Sequence, residues 1–299
     1  MSISPDQVKV LRDRTSAGIM DCKRALEKAG GDLDQAAQIL REEGVAKADK
    51  KTGREAGEGL VAAYVTPAGD AGALVEVNCE TDFVARNDRF AALASELAEQ
   101  VCAEGGVPDV GVFLDRPARI GPPGQTVGQR IKETIARLGE NIVVRRAAYV
   151  AAVNGRTAAY VHGGKIGVLV EVGSAGPAVA GHEAVGRVAR DVAMQVAAMS
   201  PRWVRREDVP PAVLEREKAV LRAQPDVQAK PAAMQEKIVL GRLGKFYAES
   251  CLLEQPYIRD ESKKATVGDV LGAAGQTAGA PLEVRRFVRL KVGEDVTAE

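Results

Sequence analysis

Hydrophobic positions along the first 45 residues recur at helical spacing in three short runs. Ser4-Pro5-Asp6-Gln7 is a capping box with proline in the first turn, and Val8, Leu11 and Thr15 follow on one face. Ile19, Cys22, Ala25, Leu26 and Ala29 form a second stripe, stopped by Gly30-Gly31. Asp32 and Gln35 open a third helix lined by Leu33, Ala36, Ala37 and Leu40, which Gly44 is expected to end. From Ala46 to Gly59 large apolar residues nearly vanish, which predicts a linker, part of it able to be helical, tethering a small bundle of residues 1–45.

Beyond the linker the pattern changes to strands and then repeats itself. Gly72-Ala73-Leu74-Val75-Glu76-Val77 returns as Gly167-Val168-Leu169-Val170-Glu171-Val172, a shift of 95 residues (167 minus 72). Ala62-Ala63-Tyr64-Val65 returns as Ala158-Ala159-Tyr160-Val161, so each copy opens with a β-hairpin. A helical stripe follows each hairpin: Phe90, Leu93, Leu97, Val101, and then Val185, Val188, Val192, Val196. Thr126-Val127-Gly128 and Val144-Arg145-Arg146 return as Thr266-Val267-Gly268 and Val284-Arg285-Arg286, now shifted by 140 (266 minus 126), so the second copy has gained 45 residues (140 minus 95). That insertion, residues 201–262, predicts two helices near 213–223 and 231–253, folded back as an antiparallel arm. The arm is a candidate contact for a partner or for a second copy in a homodimer, and a plain packed hairpin is its bland alternative. The fold class is therefore α+β: a three-helix bundle (1–45), a linker (46–59), a first core subdomain (60–150), and a second (151–200 with 263–299) interrupted by the arm.

Composition narrows the function. Lys+Arg 41 balance Asp+Glu 41, so nothing draws the whole chain to nucleic acid or to an anionic membrane. No uninterrupted apolar stretch is long enough to span a bilayer, and the first residues resemble neither an export nor a transit signal, so the sequence reads as cytoplasmic. Cys22, Cys79, Cys102 and Cys251 lie far apart with no Cys-x-x-Cys pair, which predicts reduced packing residues and no metal site. There are two histidines, His162 and His182, and no phosphate-binding glycine loop, so no cofactor is expected and covalent catalysis is not favoured. An enzyme built on Cys79 would need a histidine brought to it by the fold.

One segment breaks the repeat. Asn78-Cys79-Glu80-Thr81-Asp82-Phe83-Val84-Ala85-Arg86-Asn87 links the second strand to a helix expected to start at Asn87 or Asp88, and Asp82 and Phe83 fall on Pro177 and Ala178 in the second copy. Phe83 is either a lid over its own core or a projecting wedge; its loss from the second copy, which has a similar core to cover, favours the wedge. Met20 sits one residue off its buried stripe beside Lys23, Arg24 and Glu27, and reads either as an apolar contact ringed by charge or as a gap-filler. Gly163-Gly164 reads as a tight hairpin turn rather than an anion site, and His162 at its edge is either exposed and used or fills a strand end.

Thr81 to Asn87, together with Arg12-x-Arg14-Thr15-x-Ala17-Gly18-x-Met20-Asp21-Cys22-Lys23, closely resembles bacterial elongation factor Ts. His162-Gly163-Gly164-Lys165-Ile166-Gly167-Val168-Leu169-Val170 and Leu252-Leu253-Glu254-Gln255-Pro256 strengthen the resemblance, which spans nearly the whole chain. It implies a guanine-nucleotide exchange factor for elongation factor Tu, with a ubiquitin-associated-like (UBA-like) bundle, a duplicated core and a helical arm. Both the GDP-bound and the nucleotide-free partner are implied, with no direct nucleic acid contact. The resemblance implies that Thr81, Asp82, Phe83 and Val84 disturb the partner's Mg²⁺ site. It further implies that Arg12, Ile19, Met20 and Lys23 grip the GTPase domain, and that His162 and Gly163 touch a distal domain. Some members carry a further terminal helix, which is not expected here after Lys291-Val292-Gly293-Glu294. A rival class, a protein- or peptide-binding adaptor resting on the bundle alone, leaves the asymmetry at Asp82-Phe83 without a purpose.

Overall fold

The computed structural model describes residues 3–295 except Ser16, Pro177, Ala178 and Lys263. Three helices come first: α1 (Pro5–Thr15), α2 (Ile19–Lys28) and α3 (Leu33–Asp49). Ser4 caps α1 as expected, its hydroxyl accepting from the Gln7 amide while Gln7 Oε1 accepts from the Ser4 amide. Leu11, Cys22, Ala25, Leu26, Ala29 and Ala36 make the small core between the three helices.

Two expectations fail here. Gly44 does not stop α3, which runs on to Asp49 through the first residues of the expected linker. A Cβ at Gly44 would come within 3.1 Å of Ala136 Cβ on α7 (Val127–Leu138), so the missing side chain serves close helix packing rather than termination. Ala48 is fully buried, Asp49 pairs with Lys132 at 2.7 Å, and Lys51 donates to the Gly139 carbonyl at 2.5 Å. Burial against α7 supplies what the poor helix-stopping power of one glycine could not predict. The second failure is Ile19, which periodicity assigns to the buried stripe; as the first residue of α2 it overhangs the end of that core and is exposed.

The rest alternates hairpins and helices in the expected order: β1 (Glu58–Val65), β2 (Ala71–Cys79), α4 (Asp82–Ala85), α5 (Asp88–Ala103), α6 (Val110–Leu114), α7 and β3 (Ile142–Ala151). The second copy runs β4 (Gly155–His162), β5 (Ile166–Gly173), α8 (Glu183–Met199), then the arm α9 (Pro211–Arg222), α10 (Pro225–Gln228) and α11 (Ala232–Ser250), then α12 (Val267–Ala278) and β6 (Glu283–Lys291). The strands form two three-stranded sheets of the same order, β1-β2-β3 and β4-β5-β6, and β4 pairs antiparallel with β5 from Gly155↔Gly173 to His162↔Ile166. The apolar stripes of α5 and α8 are buried as predicted. Thr126 and Thr266 each form a capping box, and Gly139 and Gly279 each end their helix in the left-handed conformation that glycine tolerates.

By contact density the chain divides into two compact units, one of Met1–Ala62, Val75–Ala147 and Lys291–Glu299, the other of Ala63–Leu74 and Ala148–Leu290. In the first unit Glu76 is fully buried; it accepts from Arg146 Nε at 2.6 Å and from the Gly293 amide at 3.0 Å. In the second, Glu171 accepts from Arg286 Nε at 2.9 Å and from the Val153 amide at 3.3 Å. Arg146 also donates to the Lys291 carbonyl, and Arg286 to that of Ala151. Thus the same buried carboxylate recurs in each sheet, satisfied by an arginine of the neighbouring strand and by the chain leaving the other repeat's last strand. A buried charge demands such partners.

In the arm, α9, α10 and α11 pack through Leu221, Val227, Val239 and Leu243. At its base Trp203, Val209 and Cys251 form another cluster with Phe246 and Tyr247. Gln195 and Gln255 are fully buried and bonded to each other at 3.2 Å, and Gln255 also donates to the Glu249 carbonyl. Leu252 to Pro256 therefore tie the arm's exit to α8. None of the four cysteines forms a disulfide, and all are buried. Among the described residues no helix is long and apolar enough to cross a membrane, and no group of His, Cys, Asp and Glu could hold a metal ion.

Candidate functional site

The segment unique to the first repeat is not a plain connection but a single helical turn, α4. Thr81 caps it: the hydroxyl oxygen accepts from the Val84 amide at 3.4 Å, and Ala85 donates to the Thr81 carbonyl at 3.2 Å. Asn87 then caps α5 by accepting from the Arg89 amide at 2.9 Å, as expected from the sequence. Ala85 is buried beneath the turn, whereas Phe83 projects outward with its residue 82% exposed. The alternative left open at this position is resolved: the ring is not a lid. Asp82 pairs with Arg86 one turn on at 3.1 Å, and Val84 is half-buried.

A four-residue helix has almost no stability of its own, because nucleation fixes several dihedrals for one hydrogen bond. It is held here by residues the sequence reading did not single out. The Glu140 carboxylate takes both Thr81 donors, the hydroxyl at 2.6 Å and the amide at 2.9 Å. Crosswise, Glu80 accepts from the Asn141 amide at 2.7 Å and pairs with Arg54 at 3.6 Å, while Asn141 donates to the Arg54 carbonyl. Two consecutive residues before α4 are thus bonded to two consecutive residues after α7. Spacing along the chain gave no sign of this, since Thr81 and Glu140 are 59 residues apart.

On the bundle, Arg12, Ile19, Met20 and Lys23 are all exposed, Met20 to 60%. Met20 therefore fills no gap; Ile19, Met20 and Lys23 share one surface of α2, with Lys23 at 4.0 Å from Glu27. The bundle residues and the α4 segment belong to the same compact unit, and His162 and Gly163 belong to the other. Gly163 and Gly164 both have positive φ, and Lys165 donates to the His162 carbonyl at 3.0 Å, which makes the tight turn expected there. His162 is exposed, and its Nδ1 lies 3.1 Å from the Tyr160 hydroxyl.

Among the described residues these positions present exposed apolar side chains, Phe83 on the capped turn α4 and Ile19 and Met20 on α2. Comparison with known proteins names the class. A sequence model of the family described as Elongation factor TS matches residues 80–294. Elongation factor Ts of Nostoc sp. is 45% identical over 298 residues, covering 98% of this chain and 93% of that protein. Those of Nitratidesulfovibrio vulgaris (44%; 100% and 99% covered) and Symbiobacterium thermophilum (43%; 98% and 93% covered) are similar to it along the same span. The chain belongs to the elongation factor Ts family, whose role is nucleotide exchange in translation elongation.

Proposed function

We propose that the chain binds elongation factor Tu, in the GDP-bound and nucleotide-free forms, and releases GDP by disturbing the Mg²⁺ site of that partner. Thr81, Asp82, Phe83 and Val84 enter the GTPase domain, with Phe83 as an apolar wedge and Asp82 altering the field beside the metal. In such GTPases Mg²⁺ bridges phosphate oxygens to protein, so shifting its ligands removes much of the charge stabilisation that holds GDP. By linkage, a factor that weakens GDP must itself bind less tightly when nucleotide is present, so entering GTP or GDP expels it. No covalent step is involved, and the protein acts as an exchange factor in the cytoplasm.

Residues 1–45, as a UBA-like bundle, supply affinity through Arg12, Ile19, Met20 and Lys23. Residues 60–150 carry the wedge, the second subdomain meets a distal domain of the partner through His162 and Gly163, and residues 201–262 form the arm. Val220, Met234 and Leu240 are exposed on that arm and offer a second copy an apolar contact. The observation that supports the reading most is Phe83: a large aromatic ring left in solvent on an anchored turn, at a position where the second repeat's sequence has alanine. Mixing the protein with elongation factor Tu carrying fluorescent GDP tests it. Release should accelerate, and rising Mg²⁺ should oppose the acceleration; release unchanged at saturating factor refutes the proposal.

A further inference from the structure

We propose that Glu140 is a positioning residue for nucleotide release: its carboxylate fixes α4, so that Phe83 meets the partner in one orientation. The inference rests on the exchange reading above and concerns how the wedge is held.

The mechanical argument starts from how little else secures the turn. Phe83 is largely in solvent, Asp82 pairs with Arg86 on the same turn, and Ala85 is the one buried side chain of α4. Against this, the two bonds from Thr81 to Glu140 are short, at 2.6 and 2.9 Å, and both run to one carboxyl group. They act on the capping residue, from which the direction of the helix follows.

The chain also carries its own control. What the fold needs is kept in both repeats: Glu76–Arg146 with Glu171–Arg286, the Thr126 and Thr266 caps, and the left-handed Gly139 and Gly279. In the same register Glu80 falls on Ala175, Thr81 on Gly176, Glu140 on Ala280 and Asn141 on Pro281. All four members of the crosswise clamp are replaced together, in the repeat where Asp82 and Phe83 fall on Pro177 and Ala178. The backbone after α12 turns as it does after α7 without any carboxylate, so the clamp is not what that turn requires. A device that accompanies the wedge and is dispensed with where the wedge is absent serves the wedge.

The test measures GDP release from elongation factor Tu loaded with fluorescent GDP, as a function of factor concentration, for Glu140→Ala, Glu140→Gln and Phe83→Ala, and for Glu140→Ala combined with Phe83→Ala. Loss of orientation should lower the maximal release rate of Glu140→Ala about tenfold. The half-saturating concentration should stay within about twofold, because the bundle's contacts are untouched. Glu140→Gln, which keeps the shape and one acceptor, should fall between. If Glu140 acts through Phe83, the double variant should be no slower than Phe83→Ala alone. An unchanged maximal rate in Glu140→Ala, or losses that multiply in the double variant, overturns the proposal. Should Glu140→Ala melt early, the Glu140→Gln rate decides in its place. A slow Phe83→Ala beside a fast Glu140→Ala sinks only the role of Glu140, whereas a Phe83→Ala protein at the wild-type rate sinks the wedge itself.

Discussion

Replacing Phe83 by alanine separates folding from function more cleanly than any other change in this chain. With 82% of the residue in solvent, the ring contributes little to the folded state, and stability should stay within about 0.5 kcal/mol of wild type. Full burial of a phenylalanine side chain stabilises by about 1.5 to 3 kcal/mol, and roughly four-fifths of that remains to be gained when a partner covers it, about 1.2 to 2.5 kcal/mol. If the gain is realised as the nucleotide leaves, its loss slows release by about 7- to 60-fold, at roughly 1.4 kcal/mol per tenfold. Stopped-flow release of fluorescent GDP from the Tu complex, beside a urea titration of the variant alone, reads both numbers. Release within about twofold of wild type at saturating variant, with the fold intact, would refute the reasoning. A large drop in stability would refute it from the other side, since an exposed ring cannot be holding the core.

Met20→Ala should weaken binding to Tu without changing the melting temperature, because the side chain is largely in solvent; calorimetric titration checks it, and unaltered affinity would remove Met20 from the interface. Glu76→Ala leaves the Arg146 guanidinium and the Gly293 amide without their buried acceptor and should cost about 3 to 5 kcal/mol in urea unfolding; a loss below about 1 kcal/mol would mean that water reaches the site. Alkaline pH should destabilise the protein. Burial, then the nearby Glu254 charge, pushes the Cys251 thiol from 9.0 up to about 11, and burial with the Asp191 hydrogen bond pushes Tyr257 from 10.0 up to about 12. Both groups keep their proton longer folded than unfolded, so their contribution is complete below about pH 9 and declines as pH rises toward 11 and 12. Urea midpoints at pH 7, 9 and 10.5 should fall in that order, Cys251→Ala should flatten the decline, and an identical slope in that variant would contradict the assignment.

Local signals carried most of the architecture. The capping box at Ser4, the Gly30-Gly31 stop after α2 and the apolar strand runs of β1, β2, β4 and β5 each state a conformation within a few residues, and each is found. The internal repeat placed the two sheets, because a register error would have turned Glu76 and Glu171 away from Arg146 and Arg286. What escaped is long-range. Gly44 looked like a stop because its packing partner, Ala136, is far along the chain. Ile19 looked buried because periodicity says nothing about where a core ends. The placement of Phe83 stayed open for the same reason: whether a ring covers a core or leaves it depends on what already fills the space, here Ala85 and the Thr81–Glu140 anchor. That anchor was recoverable in principle from the coordinated loss of Glu80, Thr81, Glu140 and Asn141 in the second repeat.

The reciprocal seating of Glu76 and Glu171 bears on how this molecule can be dissected. A recombinant piece ending near residue 150 would keep the first sheet but lose Gly293, and with it a donor that its interior acid relies on. A piece starting at Gly155 would deprive the other acid of Val153 in the same way. Although written as a tandem repeat, the core should resist being cut into working halves, and trimming the tail before Gly293 should be felt over two hundred positions upstream.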